Sequence, residues 1–178
     1  MKRKQLILTC FILISFTASA QNSFKPPIKD FGKMWEVPFA VDKPDPSLHY
    51  KIIVEASEKL EDSSAIYPPL EHVARLYNVH VYGGVPQNRL DVAMIIWGVP
   101  IAVVMNNEAY KKKYGVDNPN IKIIEAMKAA GIKLFACGQS IMKSKIDPAT
   151  VNPDIIIAVS RFTTVSTYQL KGYAMFKY

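Results

Sequence analysis

Along the chain, short continuous apolar runs alternate with stretches whose apolar residues recur near a period of 3.6, and that alternation predicts strands and helices in turn. Tyr50-Lys-Ile-Ile-Val-Glu55 has strand composition. After Pro68-Pro69, which suit the first turn of a helix, Leu70, Val73, Ala74, Tyr77 and Val81 share one helical face, and Gly83-Gly84 supply the stop. Val79-His80-Val81 also alternates as a strand would, which leaves the end of this helix open between two readings. Leu90 to Trp97 is almost continuously apolar, the pattern of a strand covered on both faces. Asn118-Pro119 opens a helix through Ile121, Ile124, Met127 and Lys128, with Gly131 at its C-terminal cap. Ile132 to Ala136 and Ile155 to Val159 read as strands, Phe162 to Lys171 as a helix, and Tyr173 to Lys177 as a last strand. Strands alternating with helices in this way are βαβ units. The fold class is therefore α/β, a three-layer sandwich with a mainly parallel sheet of about five strands.

The N-terminal 48 residues break this rhythm. Residues 21–48 hold five of the twelve prolines and predict an extended arm ahead of a domain at 49–178, with Trp35, Val37 and Phe39 laid on the domain surface. Residues 1–20 have the three parts of a signal peptide: basic Lys2-Arg3-Lys4, an apolar run from Leu6 to Phe16, and Ala18-Ser19-Ala20 at the cleavage site. The run is too short for a bilayer-spanning helix, so no stable membrane anchor is expected. No lipobox precedes Cys10. These features predict export to the periplasm or another extracytoplasmic space.

Charge and cysteine content now take on a narrower meaning. The 178 residues carry 22 Lys and Arg against 15 Asp and Glu, a charge of +7, and removal of residues 1–20 lowers this to +4. Nothing then calls for a nucleic acid, and Lys111-Lys112-Lys113, without interleaved aromatics, reads as a solvated face. Two cysteines exclude a disulfide-rich scaffold and a four-cysteine zinc site. Cys137 is the single thiol left after cleavage, either buried and inert or free and reactive.

In open α/β sheets ligands bind beyond the carboxyl ends of the strands. Three such ends carry candidate residues: Gly98 after Trp97, Cys137-Gly138-Gln139-Ser140, and Ser160-Arg161. If Gly138 to Lys143 is helical, Cys137 stands at a helix N-terminus, where free N–H groups stabilise a thiolate. Arg161 either holds that thiolate or an anionic substrate, or makes a salt bridge at a helix start. His49, His72 and His80 lack metal-ligand spacing, and no metal or cofactor is expected. Gly83-Gly84 matches no phosphate loop, and Ser160 lies in no Gly-x-Ser-x-Gly elbow.

Ala130-Gly-Ile-Lys-Leu-Phe-Ala-Cys137-Gly-Gln-Ser140, Asn152-Pro-Asp-Ile-Ile-Ile-Ala158 and Thr167-Tyr-Gln-Leu-Lys-Gly-Tyr173 resemble the DsrE/DsrF-like family. Asn107-Glu-Ala-Tyr-Lys-Lys-Lys-Tyr-Gly115 and Asn118-Pro-Asn120 resemble its exported members, and the likeness covers about residues 48–178. The resemblance implies a parallel α/β sandwich, a homotrimer or homohexamer, and a sulfur-relay cysteine that carries sulfur as a persulfide; Cys137 alone matches that position. Many relatives carry a His before the glycine that ends the second strand, where this chain has Trp97. The expected function is that of a sulfur carrier, of sulfurtransferase type, with Cys137 as nucleophile, Gly138, Gln139 and Ser140 stabilising it, and Gly98, Ser160 and Arg161 around it. A protein donor or acceptor of sulfur would be its partner. The alternative is an exported homo-oligomeric module that binds a small ligand without catalysis, with Cys137 as a pocket wall.

Overall fold

The computed structural model describes residues 24–178, so the segment read as a signal peptide and Cys10 lie outside the described residues. Five strands form one sheet: β1 (Tyr50–Ala56), β2 (Leu90–Ile96), β3 (Lys133–Cys137), β4 (Ile156–Ala158) and β5 (Ala174–Lys177), in the order β4-β3-β2-β1-β5. Every pairing is parallel, which sharpens the expected mainly parallel sheet. The helices are α1 (Pro68–Tyr82), α2 (Asn107–Tyr114), α3 (Ile121–Ala129), α4 (Gly138–Lys143) and α5 (Arg161–Leu170). Val79-His80-Val81 is the last turn of α1, not a strand.

The strand order fixes the layers. β1 to β4 step across the sheet in one direction, and β5 then returns to the far edge beside β1. Right-handed crossovers place the helices of the forward steps on one face and α5, on the return, on the other. Side chains alternate accordingly. Ile52, Val54, Ala56, Val92, Met94, Ile96, Leu134 and Ala136 join residues of α1 and α3 in the large core, and Ile141 ties α4 to the same layer. On the opposite face Ile95 and Cys137 pack with Val165 of α5, flanked by Trp97, Phe135 and Ala158.

One helix escaped the sequence reading. α2 buries only Tyr110 and offers little amphipathic period, but Asn106 caps it by accepting the Ala109 N–H at 2.9 Å and Gly115 ends it at φ +77°. A 3-10 segment over Val99–Val104 was also unread, because its buried apolar residues extend the β2 run without a break in pattern.

The arm is held differently from expectation. Buried Asn78 on α1 accepts the Ile28 N–H at 3.1 Å and donates to the Ile28 carbonyl at 3.0 Å and the Phe31 carbonyl at 3.1 Å. Gly32 (φ +64°) donates to Glu71 at 2.6 Å, and a Cβ there would meet the Arg75 backbone N at 2.3 Å. Ile28 is the buried anchor; of the three residues expected on the domain surface Val37 donates its N–H to the Tyr82 hydroxyl at 2.7 Å, whereas Trp35 and Phe39 stay 70% and 82% exposed. Among the described residues no helix is long and apolar enough to cross a membrane.

Candidate functional site

β3 runs into α4 on the large-core face, whereas β4 runs into α5 on the opposite face. The chain therefore diverges between β3 and β4, and a crevice opens at their carboxyl ends, the switch-point position where α/β sheets bind ligands. Cys137 is the last residue of β3 and Ser160-Arg161 follows β4, so the two segments read as site-like from sequence meet in this crevice. Their close approach depends on Gly138, where a Cβ would lie 2.7 Å from the Ala158 carbonyl oxygen.

Cys137 occupies the N-cap position of α4, as expected, without a capping hydrogen bond from its side chain, and is only 3% exposed. Its sulfur also faces the start of the longer helix α5: the Arg161 peptide N–H donates to Sγ at 3.4 Å. Burial is the largest influence on the thiol and opposes ionisation. The Ser140 hydroxyl and the N–H groups of Arg161, Ser140 and Gln139 together outweigh it and hold the Cys137 pKa below the ordinary thiol value. Gly98, at φ +76°, donates its N–H to Ser140 Oγ at 2.9 Å and so orients that hydroxyl. Ser160 caps α5, its Oγ accepting the Phe162 N–H at 3.2 Å, and thereby sets the turn that aims the Arg161 N–H.

The Arg161 side chain is engaged by a carboxylate of the chain itself. Its Nη1 donates to Glu55 Oε1 at 2.8 Å, and Glu55 is 2% exposed within β1. The guanidinium carbon lies 4.1 Å from the Trp97 ring centroid and 4.2 Å from that of Phe162, a cation–π arrangement with two rings. Of the two readings of Arg161, the salt bridge at the helix start is the one observed, and its contribution to Cys137 comes from its backbone. A pocket of about 490 Å³ opens here, lined by Trp97, Cys137, Gln139, Ser140, Arg161 and Phe162, with Ser160 and Thr163 completing it.

Sequence reading gathered the thiol, its backbone donors and the strand end at Trp97-Gly98 but missed Glu55 and Phe162 as parts of the site. Glu55 had a visible signal, a lone carboxylate inside an apolar strand run, because such a charge stays buried only with a partner. The three histidines are scattered: His49 pairs with Asp91 at 3.1 Å, His80 Nδ1 lies 2.8 Å from the Leu76 carbonyl, and His72 packs on Tyr178. Among the described residues no cluster of three His, Cys, Asp or Glu could hold a metal ion. Lys111, at the end of α2, pairs with Asp117 at 3.0 Å.

Residues 53–178 match the model of the DsrE/DsrF-like family. The chain belongs to the DsrE/DsrF-like family. Among the solved structures that match, two illustrate this family member's fold. One is the protein of unknown function MTH1491 from Methanobacterium thermoautotrophicum, with a TM-score of 0.53 at 13% identity over 72% of this chain and 99% of that one. The other is the ychN protein from E. coli, with a TM-score of 0.55 at 13% identity over the same shares. No curated protein matches the chain.

Proposed function

We propose that this DsrE/DsrF-like protein is a sulfur carrier in which Cys137 takes up sulfur as a persulfide. The observation that carries the reading is the Arg161 N–H at the start of α5, which donates to Sγ at 3.4 Å and, with the Ser140 hydroxyl, helps hold the thiol pKa down although the residue is buried. In the loading step the Cys137 thiolate attacks the outer sulfur of a donor persulfide R–S–SH. A new S–S bond forms at Cys137, the donor S–S bond breaks, and R–S⁻ leaves with the electron pair. Unloading is the same exchange with an acceptor thiolate, which regains the outer sulfur and returns Cys137 as a thiolate. Neither step needs an external oxidant or a second cysteine in the chain. A sulfur donor or acceptor protein would be the intermolecular partner.

Mass spectrometry after brief exposure to an alkyl hydropersulfide, the donor of the loading step, tests this. The native chain gains about 32 Da per sulfur on Cys137 in a form released by reductant, and Cys137→Ser gains nothing. An adduct that survives the substitution, or none in the native chain, removes the reading. The second reading, a small-ligand-binding module with Cys137 as a wall, is favoured by the near-complete burial of that residue; ligand binding with an inert thiol would select it.

We further propose that the chain is exported through residues 1–20 and assembles as a homotrimer or homohexamer. Exposed Ile156, Ile157, Val159 and Phe162 around the β4 edge support assembly, since apolar residues gathered at an uncovered edge favour a protein neighbour. Light scattering at micromolar concentration should give three subunits or six, and a stable monomer would refute the assembly.

A further inference from the structure

We propose that the Cys137 pocket selects uncharged sulfur donors over anionic ones such as thiosulfate, and that Glu55 sets this selectivity by taking up the charge of Arg161. The inference rests on the sulfur-carrier reading and adds the class of donor to it.

Among the described residues Arg161 is the one cationic side chain lining the pocket. Its Nη1 is bonded to a buried carboxylate at 2.8 Å and its face is turned to two aromatic rings, so the wall presents an ion pair without net charge. The other lining groups offer an anion little. Ser140 Oγ serves Gly98 and the thiol, Ser160 Oγ accepts the Phe162 N–H, and the Thr163 hydroxyl donates to the Ser160 carbonyl at 3.0 Å. Arg161 Nε and Trp97 Nε1 have no partner but are shut off from a visitor as well as from solvent. Gln139 is the exposed polar group that remains, beside the rings of Trp97 and Phe162.

A dianionic donor would thus lose its hydration and approach a thiolate with no free cation to offset either cost. Thiosulfate would transfer its outer sulfur to Cys137 and release sulfite, so negative charge is present on both sides of that step. An alkyl hydropersulfide, attacked in its protonated form R–S–SH, brings none and releases a single thiolate, while its alkyl group meets Trp97 and Phe162.

The test is the rate of Cys137 alkylation in the full native chain by neutral iodoacetamide and anionic iodoacetate, each divided by the rate of a small free thiol at the same pH. Normalised in this way, iodoacetate should lag iodoacetamide by about tenfold. Glu55→Gln, which frees the Arg161 charge, should recover about fivefold of that deficit, whereas the double variant Glu55→Gln/Arg161→Gln should keep the wild-type ratio. Equal normalised rates in the native chain overturn the proposal, as does a Glu55→Gln ratio identical to wild type in a folded variant. Should Glu55→Gln fail to fold, the native ratio alone decides. A thiol inert to both reagents instead overturns the sulfur-carrier reading beneath it, so the two failures are distinguishable.

Discussion

The two faces of the sheet are built for different tasks. The face beneath α1 and α3 is a deep apolar core, closed by the N-terminal arm and filled by residues such as Leu70, Met94, Ile124 and Met127 at zero exposure. The face beneath α5 is thin: one helix, of which only Thr164 and Val165 are buried, covers Ile95 and Cys137 and admits a buried ion pair. The thick layer admits polar side chains only where they are fully paired, as at Asn78, whereas the thin one leaves room at its rim for a thiol, its donors and a pocket. Stability should therefore depend on the first face and chemistry on the second.

The sharpest way to break this division is to cut into each core. Leu70→Ala should cost about 2–5 kcal/mol in denaturant unfolding and leave the Cys137 alkylation rate at pH 7 unchanged. Val165→Ala should cost about 1–2 kcal/mol and alter that rate, since Val165 packs with Cys137. Asn78→Ala should cost about 2–3 kcal/mol, because the buried backbone groups of Ile28 and Phe31 lose their partners. Limited proteolysis should then cleave within residues 24–48 before the domain itself.

Smaller effects belong to the thin face. Ser160→Ala removes the α5 cap at a cost of about 1 kcal/mol, and Ser140→Ala removes a hydroxyl from the thiolate. Both should slow Cys137 alkylation at neutral pH severalfold with little loss of secondary structure by circular dichroism. The smallest effect is pH-linked. Because the folded thiol ionises more readily than the unfolded one, the stability it adds is full above the unfolded value of about 8.5 and is lost as pH falls through the folded value. The stability advantage of the native chain over Cys137→Ser should accordingly grow from neutral to alkaline pH in urea titrations.

How much of this was legible in the sequence follows the same division. Apolar runs and helix punctuation located all five strands and the helices α1, α3 and α5 to within a few residues, because strand and helix composition persist along the chain even in β4 and β5, whose side chains are largely exposed. α2 was not legible, since its ends are fixed by Asn106 and Gly115 while its middle is solvated lysine. At the site, strand ends were legible and side-chain partners were not. Cys137, Ser140 and Ser160 lie where the strand-end rule puts them, but the pairing of Glu55 with Arg161 joins residues 106 apart, and no local pattern encodes it. The arm shows the same limit: Trp35 and Phe39 suggested the surface contact, whereas buried Ile28 and the polar side chains of α1, Asn78, Glu71, Arg75 and Tyr82, do the holding.

The central claim is that Cys137 is an activated thiol despite its burial, and the pH dependence of its alkylation in the native protein tests this most directly. The rate of modification by iodoacetamide, followed by mass spectrometry, should rise with pH to a plateau with a midpoint below the free-thiol value of about 8.5. A midpoint above that value, or a thiol that reacts only after denaturation, would contradict the account.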